Sequence, residues 1–147
     1  MNRRNMLWAA LSALGASLGA QRARAATPVA DKLKVVYHLS DSDRVAFALG
    51  NIQNHFDGVG GPDNVTLALV INGPALRAFH RAAANPDVTH RVGQFVKGGL
   101  TLHACGNTMK AQEVGLTQLL PGFVEADRGG VVRIAELQAQ GYFYLKP

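Results

Sequence analysis

Short apolar runs alternate with apolar stripes at helical spacing along most of the chain. The first run, 33–39, is rich in β-branched and aromatic residues and predicts a strand. The apolar positions 45, 49, 52 and 56 follow at spacings of three and four, which predicts a helix ending at Gly58. The next run, 65–71, is apolar almost throughout, as is typical of a strand covered on both faces.

The same alternation continues to the end of the chain. Pro74 is suited to the first position of a helix, and Asn85-Pro86-Asp87 to the start of another that ends at Gly98-Gly99. The remaining pattern predicts strands over 100–104, 122–126 and 142–145, with helices over 75–83, 109–114 and 131–140. We therefore expect an α/β domain, a three-layer α/β/α sandwich with a mostly parallel five-stranded sheet.

The first 25 residues depart from this pattern and resemble an export signal. Arg3-Arg4 precede a mildly apolar stretch over 6–20, and Ala23-Arg24-Ala25 forms a small-x-small cleavage site. Paired arginines and a basic segment before the cleavage site resemble a twin-arginine (Tat) signal. We expect residues 1–25 to be removed and 26–147 to work in the periplasm, free of the membrane. Sec export and an uncleaved N-terminal anchor are the alternatives.

Removal of that segment changes what the charge implies. The whole chain has a net charge of +5, but the segment contains four of its 15 Lys and Arg residues. The remaining 11 Lys and Arg residues are nearly balanced by 10 Asp and Glu, and these basic residues are scattered along the chain. A basic patch is therefore not expected, and nucleic acid is not an expected partner. A hydrophobic fraction of 48% with 17% charged residues argues for a packed core over disorder.

Candidate chemistry lies where strands end, because ligands bind beyond the carboxyl ends of strands in open α/β sheets. Three loops qualify: 40–43, 72–74 and 105–108. The third contains Cys105, the only cysteine, which excludes a disulfide within the chain and a multi-cysteine metal cluster. A cysteine between a strand and a helix start is favoured as the thiolate, and Gly106 lets the backbone turn sharply. We expect a solvent-accessible thiol; an inert, buried Cys105 is the alternative.

Several polar residues could accompany this thiol. His103 lies two positions earlier and should share a face of the strand; we interpret it mainly as structural, with a base or metal-ligand role as the alternative. His38, near the end of the first strand, is a further candidate, and Asp41 is either a helix cap or a pocket residue. The loops add candidate binding residues: Gly106, Asn107, Thr108, Asn72 and Gly73. Phosphate-loop and nucleophile-elbow motifs are absent from the sequence, and we expect neither a cofactor nor a metal.

Five segments together resemble the DsrE/DsrF-like sulfur-relay family. They are KVVYHL at 34–39, ALGNIQNH at 48–55, VINGPA at 70–75, ACGNTM at 104–109 and AELQAQGYFYLKP at 135–147. Their order and spacing cover essentially the whole of 26–147. The resemblance implies a parallel α/β/α domain, a cysteine that accepts and passes sulfur as a persulfide, and assembly into trimers or hexamers. That cysteine corresponds to Cys105.

Three functions follow from these observations. The first is a periplasmic sulfur-trafficking protein that carries sulfane sulfur on Cys105 between donor and acceptor proteins or small sulfur species. The second is a non-catalytic subunit that binds a small ligand or assembles a periplasmic complex. The third is a thiol redox sensor, because a lone thiol in an oxidising compartment pairs only with another molecule. Whether the protein is an enzyme, such as a sulfurtransferase, stays open.

Overall fold

Five parallel strands form the central sheet of the computed structural model, which describes residues 31–147. The expected export signal, 1–25, lies outside the described residues. The strands are β1 (Leu33–Leu39), β2 (Val65–Ile71), β3 (Thr101–Cys105), β4 (Phe123–Ala126) and β5 (Tyr142–Leu145). They are ordered β4-β3-β2-β1-β5, and every pair is parallel. The expected parallel, five-stranded sheet is confirmed.

Four α-helices connect the strands. They are α1 (Val45–Gly58), α2 (Pro86–Lys97), α3 (Gly106–Ala111) and α4 (Gly130–Ala139). The α2 helix begins as the sequence predicts, since the Asn85 side chain accepts a 2.9 Å hydrogen bond from the Val88 N–H. Short 3₁₀ turns occupy Ser42–Arg44, Pro62–Asn64, Gly73–Phe79 and Leu116–Gln118. Within residues 31–147, no helix is both long and apolar enough to cross a bilayer.

The two faces of the sheet are covered unequally. On the first face, alternate strand residues such as Leu69 and Leu102 pack in one large core with buried residues of α1, α2 and α3. On the second face, Val36, Ala68 and Val70 form a smaller cluster with Ile134 and Leu137 of α4 and with Tyr142. This arrangement confirms the three-layer fold. It also leaves room on the second face for polar side chains at the carboxyl ends of the strands.

Two predicted helices differ from the structure in form or position. The predicted helix over 75–83 is a 3₁₀ segment, Gly73–Phe79, in which Leu76 and Phe79 are fully buried. A spacing of three places these two side chains on one side of a 3₁₀ helix, which repeats every three residues. The helix predicted over 109–114 begins instead at Gly106, directly after Cys105, the last residue of β3.

The prediction that Asp41 caps a helix with its side chain is wrong. Asp41 precedes the 3₁₀ turn Ser42–Arg44, but its side chain makes no capping hydrogen bond. Its carboxylate accepts instead from the Ser40 hydroxyl, at 3.3 Å. Asp43 lies inside the turn, and Arg44 occupies the N-cap position of α1. The turn is closed by the backbone, because the Arg44 N–H donates to the Asp41 carbonyl at 3.1 Å.

Candidate functional site

Cys105 lies where three elements meet. It ends β3, occupies the N-cap position of α3 and pairs in register with Ala126 of β4. Strand residues alternate between faces, so Cys105 lies on the second face with His103, the neighbour of Val70 in register. Gly130, the first residue of α4, packs directly against it. Two helices therefore begin beside the sulfur.

Hydrogen-bond donors surround the Cys105 sulfur. Burial raises the pKa of the thiol. The Thr108 hydroxyl and the backbone N–H groups of Gly130, Thr108 and Asn107 act in the opposite direction, and the net effect is a pKa below the ordinary value. Asn107 and Thr108 belong to the first turn of α3, and Gly130 opens α4. Both helices thus present unpaired N–H groups to the sulfur, where they stabilise a negative charge.

The Thr108 hydroxyl is oriented by the Gly73 backbone. The Gly73 N–H donates to Thr108 Oγ1 at 2.9 Å, which leaves the hydroxyl hydrogen free to point to the sulfur. The Gly73 carbonyl accepts from Gln112 Nε2 at 3.0 Å, and Gln112 Oε1 contacts His80 Nε2 at 2.8 Å. Since the Gln112 oxygen is an acceptor, His80 donates through Nε2. A chain of hydrogen bonds from His80 therefore holds the loop that orients Thr108.

Glycines allow the backbone to pack tightly around Cys105. A Cβ atom at Gly130 would lie 3.2 Å from Cys105 Cβ, 3.4 Å from Val70 Cγ1 and 3.5 Å from Asn72 Cβ. A Cβ atom at Gly106 would lie 2.9 Å from Glu125 Oε1 and 3.0 Å from the Ala126 carbonyl. As a result, only 6% of Cys105 is exposed. The expectation of a freely solvent-accessible thiol is wrong, because the sequence did not reveal that α4 covers it.

His103 does not form a base–nucleophile pair with Cys105. Burial and the positive charge of Arg133 lower the pKa of His103 to about 4, so the ring is neutral at neutral pH. Within residues 31–147 no hydrogen bond joins it to Cys105, and its side chain lines a separate cavity under α4. Within the same residues, no group of three or more His, Cys, Asp or Glu side chains could hold a metal ion.

His38 belongs to a hydrogen-bonded row across the same face. Its Nε2 atom lies 3.0 Å from Asn72 Oδ1, and its Nδ1 atom lies 2.8 Å from the Tyr144 hydroxyl. With the Asn72 oxygen as acceptor, Nε2 carries the hydrogen and Nδ1 accepts from Tyr144. Asn72 lies one position beyond the pair of Ile71 with Ala104, which makes it the neighbour of Cys105. His38 thus reaches the site through Asn72.

The predicted site residues largely come together. Gly106, Asn107 and Thr108 surround the sulfur, Gly73 orients Thr108, and Asn72 packs beside Gly130. Asp41 lies apart: it is exposed and contacts Ser40, and the neighbouring Ser40 carbonyl accepts from the Ala75 N–H at 3.1 Å. Gly130 and Gln112 were missed. The Gly129-Gly130 pair, separated by two residues from the end of the predicted fourth strand, was a usable signal, since that loop also lies at a carboxyl end. Gln112 carries no comparable signal.

Three solved structures have a similar fold. MTH1491, a protein of unknown function from Methanobacterium thermoautotrophicum, is 24% identical over 79% of this chain and 100% of its own, with a TM-score of 0.69. The ychN protein from E. coli is 13% identical over 78% of this chain and 100% of its own, with a TM-score of 0.62. BT1422, a conserved protein of unknown function from Bacteroides thetaiotaomicron, is 16% identical over 78% of this chain and 95% of its own, with a TM-score of 0.56.

These similarities establish a shared fold. No family model matches the chain, and no curated protein matches it.

Proposed function

We propose that this protein is a periplasmic sulfur carrier of the DsrE/DsrF-like type, in which Cys105 carries the sulfane sulfur as a persulfide. The observation that supports it is the set of donors around the sulfur, which lowers the pKa of the thiol in spite of burial. The thiolate is the nucleophilic form of cysteine, and a lower pKa increases its fraction at neutral pH. The sequence resemblance described above and the shared fold agree with this function.

The transfer needs neither an oxidant nor a reductant. The Cys105 thiolate attacks the terminal sulfur of a polysulfide or persulfide donor. A new bond forms between Sγ and that sulfur, the donor's S–S bond breaks, and the shortened donor leaves as a thiolate with the electron pair. An acceptor thiolate then attacks the outer sulfur of the Cys105 persulfide, which restores the Cys105 thiolate. The N–H groups around the sulfur stabilise the negative charge at the beginning and end of the cycle.

Burial of Cys105 restricts the donor. With 6% of the residue exposed, a slim inorganic sulfur chain fits the approach better than a folded protein surface. Asn107 is exposed and lies against Gly129, because a Cβ atom built on Gly129 would lie 3.0 Å from Asn107 Nδ2. A larger donor or acceptor therefore requires that Asn107 and the start of α4 move apart. The added outer sulfur extends the reactive atom away from this crowded position.

Intact mass spectrometry tests the proposal. We expect the purified protein, incubated with inorganic polysulfide, to gain the mass of one or more sulfur atoms and to lose it on treatment with a thiol reductant. Cys105→Ser, the smallest change that removes the sulfur, should gain nothing. Equal mass gain in both proteins, or none in the wild type, contradicts the proposal. Fractionation of cells that express the full chain tests the periplasmic location and the removal of 1–25.

A non-catalytic subunit is the second candidate, and exposed apolar side chains on β5 favour it. Phe143 is 63% exposed and Leu145 is 43% exposed at one edge of the sheet. Such side chains suit contacts between subunits, in keeping with the trimer or hexamer that the resemblance implies. In this case Cys105→Ser should keep both the oligomer, measured by light scattering, and the function in cells. A redox sensor should instead form a reversible intermolecular disulfide on a non-reducing gel.

A further inference from the structure

Tyr144, His38 and Asn72 form a hydrogen-bonded row on the second face of the sheet, and the row ends beside Cys105. We propose that the Asn72 amide nitrogen donates to the outer sulfur of the Cys105 persulfide, and that His38 is the positioning residue that orients this amide. The inference rests on the proposed sulfur-carrier function. It adds a group that binds the carried sulfur, whereas the donors described above act on the thiol itself.

The backbone of Asn72 continues β2, so its side chain lies on the second face with that of Val70. Asn72 has extended backbone angles (φ −135°, ψ 173°), and its N–H donates to the Leu39 carbonyl at 3.0 Å. Asn72 also precedes the 3₁₀ segment Gly73–Phe79, where an asparagine side chain commonly caps the first turn. Its side chain makes no capping hydrogen bond to that segment. The side-chain oxygen faces His38 instead.

The orientation of the Asn72 amide is fixed by its neighbour in the row. His38 Nδ1 lies 2.8 Å from the Tyr144 hydroxyl, and His38 Nε2 lies 3.0 Å from Asn72 Oδ1. A tyrosine hydroxyl that donates to Nδ1 keeps the hydrogen of the neutral ring on Nε2, which then donates to Oδ1. With Oδ1 directed to β1, the Nδ2 atom is directed away from β1, and it has no hydrogen-bond partner among residues 31–147.

Asn72 and Cys105 are neighbours under the start of α4. When the pairing of β2 with β3 is continued by one position, these two residues lie side by side. A Cβ atom at Gly130 would lie 3.2 Å from Cys105 Cβ and 3.5 Å from Asn72 Cβ, so α4 covers both. The strand neighbour of Cys105 on the other side is Ala126, whose side chain has no donor. Of the two strand neighbours, only Asn72 can therefore donate a side-chain hydrogen bond.

The donors around the thiol leave the outer sulfur to Asn72. The groups of α3 and α4 that donate to Sγ do not include the Asn72 amide. In the persulfide anion the charge moves to the outer sulfur, which lies about 2 Å beyond Sγ. Neighbouring strands are about 4.8 Å apart, so an outer sulfur directed toward β2 comes within hydrogen-bond distance of Asn72 Nδ2. A donor at this place stabilises the loaded protein without acting on the thiol.

Loading from inorganic polysulfide is an exchange that makes this stabilisation measurable. The Cys105 thiolate attacks the terminal sulfur and forms the new S–S bond to Sγ, while the S–S bond of the donor breaks. A polysulfide one sulfur shorter leaves as an anion with the electron pair, so charge is conserved. The equilibrium compares a thiolate stabilised at Sγ with a persulfide stabilised at its outer sulfur. Loss of the Asn72 donor should therefore shift it toward the thiolate.

The first experiment measures this equilibrium. Wild type and Asn72→Leu are equilibrated with a fixed mixture of inorganic polysulfide and hydrosulfide, and intact mass spectrometry gives the ratio of persulfide to thiol. Asn72→Leu, which has similar size and no donor, should lower this ratio by about tenfold or more, as for loss of a hydrogen bond to a charged group. Asn54→Leu, an exposed asparagine on α1, is the matched control and should load as the wild type does.

A second readout separates the outer sulfur from Sγ. The pH dependence of alkylation should show that unloaded Asn72→Leu keeps the lowered pKa of the Cys105 thiol, because the amide does not donate to Sγ. An unchanged loading ratio in Asn72→Leu overturns the inference. A raised thiol pKa in the folded variant, checked by circular dichroism, also overturns it, because the amide would then act on Sγ. If Asn72→Leu does not fold, the His38 variants test the same contact.

The positioning role of His38 is tested by rescue. His38→Leu should lower the loading ratio, because the Asn72 amide can then turn its oxygen to the outer sulfur. His38→Gln should restore most of the loss, since its amide nitrogen can donate to Asn72 Oδ1 from about the place of Nε2. His55→Leu is the matched control: His55 Nδ1 contacts the Tyr37 hydroxyl at 2.9 Å on the first face of the sheet, away from Cys105.

The outcomes distinguish this inference from the proposed function. Equal losses in His38→Leu and His55→Leu, or no rescue by His38→Gln, overturn the positioning role. If the wild type gains no sulfur from polysulfide, the proposed function and the present inference both fail. If the wild type loads and the Asn72 and His38 variants load equally well, only the present inference is overturned.

Discussion

Gly130 and Cys105 are in direct contact, and the N–H of the first faces the sulfur of the second. This contact joins α4 to the end of β3, although the two residues are 25 positions apart in the chain. It covers the sulfur and supplies one of the donors that lower the pKa of the thiol. The absence of a side chain at position 130 is what allows both effects.

Gly130→Ala should therefore raise the pKa of Cys105. The added Cβ atom would lie 3.2 Å from Cys105 Cβ and 3.4 Å from Val70 Cγ1, so the start of α4 must move away. We expect a loss of about 1–3 kcal/mol in unfolding free energy, as for other overpacked sites. Thiolate absorbance near 240 nm, followed against pH, and chemical denaturation measure the two effects. Gly50→Ala is the control, because a Cβ atom at Gly50 of α1 would meet no neighbouring atom of residues 31–147 within 4 Å, and a helical alanine should stabilise by about 0.5–1 kcal/mol.

Thr108→Val should raise the pKa of Cys105 without a large change in packing. Valine has nearly the shape of threonine but lacks the hydroxyl that hydrogen-bonds to the sulfur, and it also leaves the Gly73 N–H without an acceptor. We expect slower sulfur loading at neutral pH and a loss of about 1–3 kcal/mol in stability. Thr108→Ser should restore the lowered pKa, measured by the pH dependence of alkylation. Thr66→Val on β2 is the control for loss of a hydroxyl; an equal pKa change there would contradict the assignment.

Gln112→Glu should weaken the hold on the Gly73 loop. The amide nitrogen that donates to the Gly73 carbonyl at 3.0 Å would become a carboxylate oxygen, and two acceptors would face each other. We expect a loss of about 1–2 kcal/mol in unfolding free energy and slower loading of Cys105, because Thr108 is no longer held. Stopped-flow loading with polysulfide and thermal denaturation provide the measurements. Gln94→Glu on α2, which introduces the same charge at an exposed position, should leave the loading rate unchanged.

His103 should make the protein sensitive to acid. Its pKa falls from 6.5 to about 4 in the folded state, so below 6.5 the unfolded chain binds a proton that the native protein does not. Stability should therefore be fully present above pH 6.5 and should fall as the pH drops from 6.5 towards 4. Urea denaturation at a series of pH values measures this slope. His103→Gln should flatten it, while His90→Gln, the removal of an exposed imidazole on α2, should keep it; identical slopes in all three would refute the assignment.

Cys105 should favour small thiol reagents over bulky ones more strongly than an exposed thiol does. Because 6% of the residue is exposed, small reagents such as methyl methanethiosulfonate should modify it at least tenfold faster than a bulky maleimide, relative to free glutathione. Denaturant should remove this difference, since it releases α4 from the sulfur. If the ratio of the two modification rates is the same for the native protein as for glutathione, the site opens freely. Mass spectrometry of quenched samples gives both rates.

Local patterns were sufficient for most of the secondary structure. The β5 strand, predicted over 142–145, has these bounds in the structure, and α2 begins at the predicted cap. Such elements depend on nearby residues: alternation, helical spacing, proline and glycine. The 3₁₀ form of Gly73–Phe79 was not predictable in the same way, because Leu76 and Phe79 are compatible with both helix types until the buried surroundings select one.

The candidate site likewise depends in part on local sequence and in part on tertiary structure. The sequence by itself determined that Cys105 lies where a strand ends and that Thr108 lies close to it, since three residues of chain cannot place them far apart. Only the tertiary structure decided that Gly130 and Arg133 of α4 lie on the same face as Cys105. The order β4-β3-β2-β1-β5 sends α4 across the second face from one edge strand to the other. That crossing depends on the packing of Ile134 and Leu137 against the whole sheet, which no local stretch of sequence contains.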